Sequence, residues 1–281
     1  MHNKNMENSQ QLSDMIPAIV KTFVIAHETD SDEHLAQALV YNAGRLAWRL
    51  REAGISAKEK TSVSDVVTEA DHAAEQFIAS ALEALRPEDG IIGEEGTAKA
   101  STSGNVWHID PVDGTYNFAS GSDYFCSALA LSSPDGVAFG AVHRPAMGYT
   151  WFGGADIPTT RDGKAVTPLT NTPLSQLCLA TYIHPTFMTQ PDVHDVWLRV
   201  AAEAATIRML GAGSIDLASV ADGSLGVWMQ HSVADWDWLP GNALIEGAGG
   251  VGIKHTAGGV EWSIAGNAQA VAEVAALLEG N

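Results

Sequence analysis

Cysteine is scarce. Cys126 and Cys178 are the two in 281 residues, too few for a disulfide scaffold or a Cys-rich zinc module, and a pair that suits a reducing compartment. Basic residues are also sparse: 15 Lys and Arg stand against 34 Asp and Glu, a formal charge of −19. So acidic a chain repels polyanions, which argues against nucleic-acid binding through a basic face. No apolar run reaches the length of a membrane span. The segment Met1–Gln11 is polar, with one Lys and no apolar core of signal-peptide type. The expectation is a cytoplasmic protein with neither nucleic acid nor membrane as partner. No repeat of solenoid length is visible. What the chain does have is 46% hydrophobic content, enough for a real core in one large or two modest domains.

Residues 1–32 read as an N-terminal appendage and linker. Leu12, Ile16, Ile19, Val20 and Phe23 form one face of a short helix with Pro17 near its start, and the acidic stretch His27–His34 reads as a linker. Helical spacing then runs from Leu35 to Leu50 and stops at Gly54, and a second helix follows Asp71 and ends before Pro87. Strand-like runs succeed one another at Gly90–Gly93, Val106–Ile109, Phe125–Leu131, Val137–His143 and Thr150–Phe152. Helices followed by closely spaced strands predict helices packed on an antiparallel sheet over 33–165. From 166 to 281 the texture becomes α/β: a strand at Leu177–Ile183 alternates with helices at Val193–Thr206, Ser214–Ala221, Leu239–Gly247 and Ala268–Leu278.

Three acidic segments carry the candidate chemistry: Gly93-Glu94-Glu95-Gly96 after an apolar pair, Trp107–Thr115 with Asp110-Pro111-Val112-Asp113-Gly114, and Asp235-Trp236-Asp237. Singly they read as turns or as a helix N-cap. Jointly they read differently. A strand ending at Asp110, followed by a turn that Pro111 stiffens, brings Asp110 and Asp113 to one pocket. Hard divalent cations take such oxygen ligands, and Mg²⁺ is content with few carboxylates plus water. No Cys/His spacing of zinc type and no EF-hand loop is present. Thr68-x-x-Asp71 ahead of an apolar helix is also a variant capping box. Gly247–Gly252 matches Gly-x-Gly-x-x-Gly, but it follows a helix and leads to a strand at Val251–Lys254, the reverse of dinucleotide-binding order.

Taken in order, Ile92–Glu95, Trp107–Phe118, Trp236-Asp237 with Ala248-Gly249-Gly250, and Lys60 with Asp65–Asp71 resemble the signature motifs of the inositol monophosphatase family of Mg²⁺-dependent, lithium-sensitive phosphatases. The similarity runs from about residue 35 to the C-terminus. It implies a five-layer αβαβα sandwich, with an α+β part over 33–165 and an α/β part over 166–281, and a homodimer. It also implies two or three Mg²⁺ per site. Glu94, Asp110 and the Val112 carbonyl resemble the ligands of a first ion, and Asp110, Asp113 and Asp237 those of a second. Glu95 resembles an outer residue near a third. Thr115 and Asp71 resemble the pair that orients the attacking water, with Glu94 beside them. The amides of Asp113, Gly114 and Thr115 stand where phosphate oxygens are held.

The implied reaction is hydrolysis of a small phosphorylated metabolite, with inositol monophosphate first and histidinol phosphate second. A non-catalytic metal-binding homologue would have lost a ligand, and none is lost here. Departures from the family pattern fall on the substrate side. Gly211-Ala212-Gly213 takes the place of a Gly-Thr/Ser-Ala segment. Gln230 stands where a Glu usually accepts from inositol hydroxyls; it keeps the length but not the charge. Trp238-Leu239-Pro240 replaces small residues, with Trp238 expected in the core. His108 has no assigned role.

Overall fold

The computed structural model describes residues 2–54, 57–62 and 65–280, and the side chains of 15–54 and 69–280. Among these, the chain begins with helices α1 (His2–His27) and α2 (Asp32–Glu52), hairpin strands β1 (Ala57–Ser62) and β2 (Asp65–Thr68), and α3 (Glu69–Leu85). There follow β3 (Gly90–Gly93), β4 (Ala98–Lys99), β5 (Val106–Asp113), the short α4 (Thr115–Ala119), β6 (Cys126–Ser133), β7 (Gly136–Arg144), β8 (Tyr149–Gly154), β9 (Ile157–Arg161) and β10 (Lys164–Ala165). The remainder is β11 (Cys178–Tyr182), α5 (Pro191–Glu203), β12 (Thr206–Arg208), α6 (Gly213–Ala221), β13 (Val227–His231), α7 (Asp235–Gly247), β14 (Val251–Ala257), β15 (Val260–Gly266) and α8 (Ala268–Glu279).

Two large sheets result. One has eight strands in the order β10-β9-β8-β7-β6-β5-β3-β4, the other five in the order β12-β11-β13-β15-β14. Helices α2 and α3 cover the outer face of the first sheet with α1 packed on α3, α6 and α7 lie between the sheets, and α5 and α8 cover the second. This is the expected five-layer sandwich, and each helical layer has its own core. Leu35, Leu39, Phe77, Ile78 and Trp107 fill the first. Trp151, Trp228 and Trp238 fill the middle one. Trp197, Trp262 and Val274 fill the third. Trp238 stacks on Trp228 with ring centroids 5.9 Å apart, so it is core, as its size implies.

Several local expectations are corrected. The N-terminal helix starts at His2 and carries Pro17 inside it. Its polar first half has no apolar period to reveal it. Ile16 and Phe23 are buried, and Phe23 meets Phe77 of α3 edge-on at 5.1 Å. The acidic linker is a tight turn, because the Ser31 side chain accepts from the His34 amide and starts α2 at Asp32. The first sheet is mixed, since β3 pairs parallel with β5. Strand β5 does not stop at Asp110: it runs through Pro111 to Asp113, with a register shift against β6 between the two Asp residues. Pro111 has no N–H to donate, and the irregular stretch tolerates it. Helix α5 ends at Glu203, and Thr206 begins an edge strand instead. Helix α7 begins at Asp235, so Asp237 sits in its first turn and is not an N-cap. Gly249 has φ +78° and closes α7 ahead of β14, so the glycine run is a helix stop. His108 is buried, with Nε2 3.0 Å from Ser132 Oγ, a strand-to-strand contact.

Candidate active site

Four elements deliver carboxylates to one place. Strand β5 carries Asp110 and Asp113, α7 carries Asp237, the turn after β3 carries Glu94, and α3 carries Asp71. The register shift in β5 decides the first pair. In a regular strand residues three apart face opposite sides, whereas the extra length between Asp110 and Asp113 re-aims the second carboxylate. Asp110 is 1% exposed. Burial, and then the charges of Glu94, Asp113 and Asp237, push its carboxyl well above the usual range. Burial followed by the Asp113 charge raises Asp237 to about 7. Asp110 and Asp237 share a hydrogen bond and titrate as a pair.

Asp113 is held from across the molecule. Its carboxylate accepts from the amides of Gly213 (3.2 Å) and Ser214, the first residues of α6. These orphan amides lower its carboxyl against the larger upward push of burial. Cys126 Sγ lies 3.8 Å from the same carboxylate, and burial with the Asp113 charge drives that thiol upward. Among the described residues no three His, Cys, Asp or Glu side chains form a ready coordination shell. The donor set that does assemble is oxygen-only, buried and mutually repelling, which fits a hard divalent cation and not zinc.

The Thr115 hydroxyl lies 3.1 Å from Asp71 Oδ1 and 3.0 Å from the Val112 carbonyl. One hydroxyl hydrogen serves one acceptor at a time, so Thr115 couples Asp71 to the carbonyl that the motif singles out. Asp71 is fully buried in the first turn of α3. Lys60 and the Thr68 side chain, a capping candidate, lie outside the described side chains. Gly114 has φ +88°, and a Cβ there would stand 3.0 Å from Ala212 Cβ and from the Tyr124 carbonyl. Glycine is therefore required where the two halves of the chain touch, beyond any need to approach a phosphate.

Three residues that sequence reasoning passed over organise this site. Glu75 is 3% exposed, and its oxygens accept from the amides of Glu95 (2.8 Å) and Thr97 (2.9 Å). It thereby fixes the turn that carries Glu94 and Glu95. The signal was present: Glu75 lies four residues after Asp71, on the apolar face of an amphipathic helix. Asn117 Nδ2 reaches the carbonyls of Tyr124, Leu210 and Gly211 at 2.9, 2.7 and 3.2 Å. It ties α4 to the loop before α6. Asp216 accepts from the Tyr124 hydroxyl at 2.6 Å, and burial raises its carboxyl to about 7. Glu95 is nearly buried and lies 3.7 Å from His72 Nδ1.

A cleft of about 810 Å³ opens beside the carboxylates. Asp113, Asp237, Gly211, Ala212, Gly213 and Gln230 all contribute to its wall. Asp110, Glu94, Glu95, Asp71 and Thr115 are not on this wall. It faces the carboxyl ends of the parallel strands β12, β11 and β13, where open α/β sheets bind ligands.

This architecture and these motifs have close counterparts. The chain is 27% identical over 234 residues to inositol monophosphatase 2 of Rattus norvegicus, covering 80% of each. It is 31% identical over 227 residues to the Nus factor SuhB of Pseudomonas aeruginosa, covering 78% of this chain and 83% of that one. The crystal structure of the extragenic suppressor protein SuhB from Bartonella henselae superposes with a TM-score of 0.78 at 24% identity, covering 88% of this chain and 97% of the other. The sequence model of the inositol monophosphatase family matches residues 28–278, and the chain belongs to that family of phosphoric monoester hydrolases.

Proposed function

We propose that the chain hydrolyses a small phosphate monoester with Mg²⁺, by attack of a water molecule that Thr115 and Asp71 orient. The observation that carries this is the packing of Asp110, Asp113 and Asp237 into one buried, mutually repelling set beside the Thr115–Asp71 hydrogen bond. Glu94, Asp110 and the Val112 carbonyl would hold one Mg²⁺, Asp110, Asp113 and Asp237 a second, with Glu95 near a weaker third. Bound Mg²⁺ supplies Lewis acidity and a lowered water pKa.

The protein's own contributions are positional. Thr115 accepts or passes a proton at Oγ, and buried Asp71 fixes which way that hydroxyl points. The amides of Asp113, Gly114 and Thr115 face the transferred phosphoryl group, where fixed dipoles act on developing charge. The carboxylate set fixes where the phosphoryl group sits. Gly211, Ala212, Gly213 and Gln230 contact the alcohol part. Inositol phosphates are the substrates that the resemblance puts first. On this reading lithium inhibits by occupying a metal position during turnover, the protein works in the cytoplasm, and the assembly is a homodimer.

The test is turnover of a panel of phosphate monoesters with Mg²⁺, with EDTA and with the Asp110→Asn variant. EDTA abolishes activity, and Asp110→Asn loses on the order of 10²-fold or more in kcat, the scale of removing a principal electrostatic group. Full activity in EDTA would end this reading.

A further inference from the structure

Helix α4 carries Thr115 and Asn117 but has little of its own to hold it. It is five residues long, Thr115–Ala119, and Gly114 before it offers no side-chain cap. A helix so short is marginal in isolation, and its last carbonyls have no partner within the helix. Thr115 Oγ nevertheless keeps its two contacts, to Asp71 and to the Val112 carbonyl. The placement of α4 therefore comes from outside it.

Arg51, in the last turn of α2, supplies a tie from 67 and 71 positions away. Its Nη1 reaches the Phe118 carbonyl at 3.4 Å and donates to the Ser122 carbonyl at 2.5 Å. A cation at the carbonyl end of a helix is favoured by the helix dipole. The guanidinium carbon lies 4.7 Å from the Trp48 ring centre, 5.1 Å from that of Phe118 and 4.9 Å from that of Phe125. Phe118 and Phe125 are buried and meet edge to face at 4.9 Å, and Trp48 stacks on Phe125 at 5.8 Å. The two acids whose charges reach Arg51 are engaged elsewhere: Asp123 with Arg144 at 3.5 Å, and Glu52 with Trp48 Nε1 at 2.9 Å. A flat guanidinium stacks on rings and donates in its own plane at once, which the point charge of an ammonium cannot do. Were only bulk wanted among three rings, an apolar side chain would fill the space without desolvating a charge.

The tie does not end at Ser122. The Ser122 amide donates to the Asn117 carbonyl at 2.9 Å, and Ser122 Oγ accepts from the Tyr124 amide at 3.2 Å. Asn117 in turn holds the Leu210 and Gly211 carbonyls, and the Tyr124 hydroxyl donates to Asp216. One guanidinium thus braces both the helix that begins at Thr115 and the turn that fastens it to the cleft wall.

We propose that Arg51 is a positioning residue for the reaction: caged by Trp48, Phe118 and Phe125, it holds the Phe118 and Ser122 carbonyls and so sets where α4 presents the Thr115 hydroxyl. This rests on the phosphatase reading above and adds a residue to it.

The test is a double-mutant cycle on whichever monoester of the panel the wild-type protein turns over with Mg²⁺. Arg51→Lys keeps the charge and Arg51→Met keeps the apolar fill, and each is made alone and with Thr115→Ala. In the wild-type background each lowers kcat about tenfold, the scale of a displacement smaller than the 1 Å that costs about 10²-fold, and changes KM less than kcat. In the Thr115→Ala background the same substitutions change kcat by less than about twofold, because the group they position is gone. Hydrogen exchange of the metal-free protein supplies a readout apart from activity: amides of residues 115–124 exchange faster in both variants, while those of α5 and α8 do not change. A loss of kcat that is as large without the Thr115 hydroxyl as with it, or exchange that rises over the whole chain, makes Arg51 a stability residue and overturns the proposal. Unchanged kcat, or unchanged exchange over 115–124, overturns it as well and leaves the phosphatase reading standing. A wild-type protein that hydrolyses none of the panel overturns the phosphatase reading and the positioning role with it, and the exchange over 115–124 then still reports whether Arg51 holds α4.

Discussion

Gly140, in the middle of β7, is the place where helix α7 touches the large sheet. It pairs with Ala130 on one side and Gly153 on the other. A Cβ built there would stand 2.8 Å from the Pro240 Cα and carbonyl carbon, and closer still to the Pro240 oxygen. Those atoms are backbone and cannot swing aside. Carbon atoms settle near 3.5–4.0 Å, so Gly140→Ala pushes α7 outward by about 1 Å. Overpacking of that kind costs about 1–3 kcal/mol, and for a chain of this size a loss of about 2 kcal/mol lowers Tm by roughly 4–8 °C. The catalytic effect is larger than the stability effect, because Asp237 lies in the first turn of the displaced helix and a 1 Å misplacement costs about 10²-fold. The assay is thermal unfolding by circular dichroism, with kcat and the Mg²⁺ concentration for half-maximal activity measured well below Tm. Activity falls, and the Mg²⁺ requirement rises, in protein that is still folded. A Tm within about 1 °C of wild type together with unchanged Mg²⁺ dependence would refute the seating of α7 as the device that positions Asp237.

The other expected outcomes follow from the site geometry. Thr115→Ala lowers kcat more than KM, because the hydroxyl orients water in the transition state; steady-state kinetics that move only KM would assign Thr115 to substrate binding. Gln230→Glu raises kcat/KM for myo-inositol 1-phosphate by roughly tenfold, a gain of about 1.4 kcal/mol from a matched acceptor, with Mg²⁺ affinity unchanged; a shift under about twofold would take Gln230 out of the alcohol pocket. In EDTA, Tm falls as pH rises from about 5 to 8. Asp110, Asp237 and Asp216 bind their protons more tightly folded than unfolded, with Asp237 and Asp216 raised to about 7. The stability they lend is therefore complete below the ordinary carboxylate range and is lost as pH climbs through the raised values. Differential scanning calorimetry across pH, with and without Mg²⁺, checks both the slope and its reversal by the ion.

What the sequence made legible follows from distance along the chain. Asp110 and Asp113 share one strand and Glu94 and Glu95 one turn, so each pair stood out as a short acidic segment, and the resemblance to the family motifs supplied the expected roles. The α/β texture from residue 166 onward was visible because its strands and helices have clean apolar periods. The continuation of β5 through Pro111 was not, since proline argues against strand, and only the pairing with β6 reveals the register shift that tolerates it. The first half of α1 was hidden because its residues have no apolar period. Glu75 and Asn117 were overlooked because all but one of their partners lie 20 to 94 positions away. Tyr182, Met209 and Gln230 become one wall only after β11, β12 and β13 are laid side by side.

Those long-range ties also explain how a chain of charge −19 tolerates a buried carboxylate set. Each acidic group is mounted on an element whose other contacts are strong. Asp110 and Asp113 ride a strand with Trp107 and Ile109 fully buried beside them. Asp237 rides a helix that packs against both sheets and whose Trp238 is stacked in the middle core. Asp113 is additionally compensated by two helix-terminal amides. The repulsion within the set works against folding, and the three hydrophobic layers around it oppose that loss. Strain concentrated at one point and opposed elsewhere is the pattern of a functional site. A divalent cation would convert the repulsion into binding energy. On this account, replacing Asp110 or Asp237 by Asn raises the Tm of the metal-free protein while lowering turnover on the order of 10²-fold or more, whereas replacing a carboxylate kept for packing alone would lower the Tm.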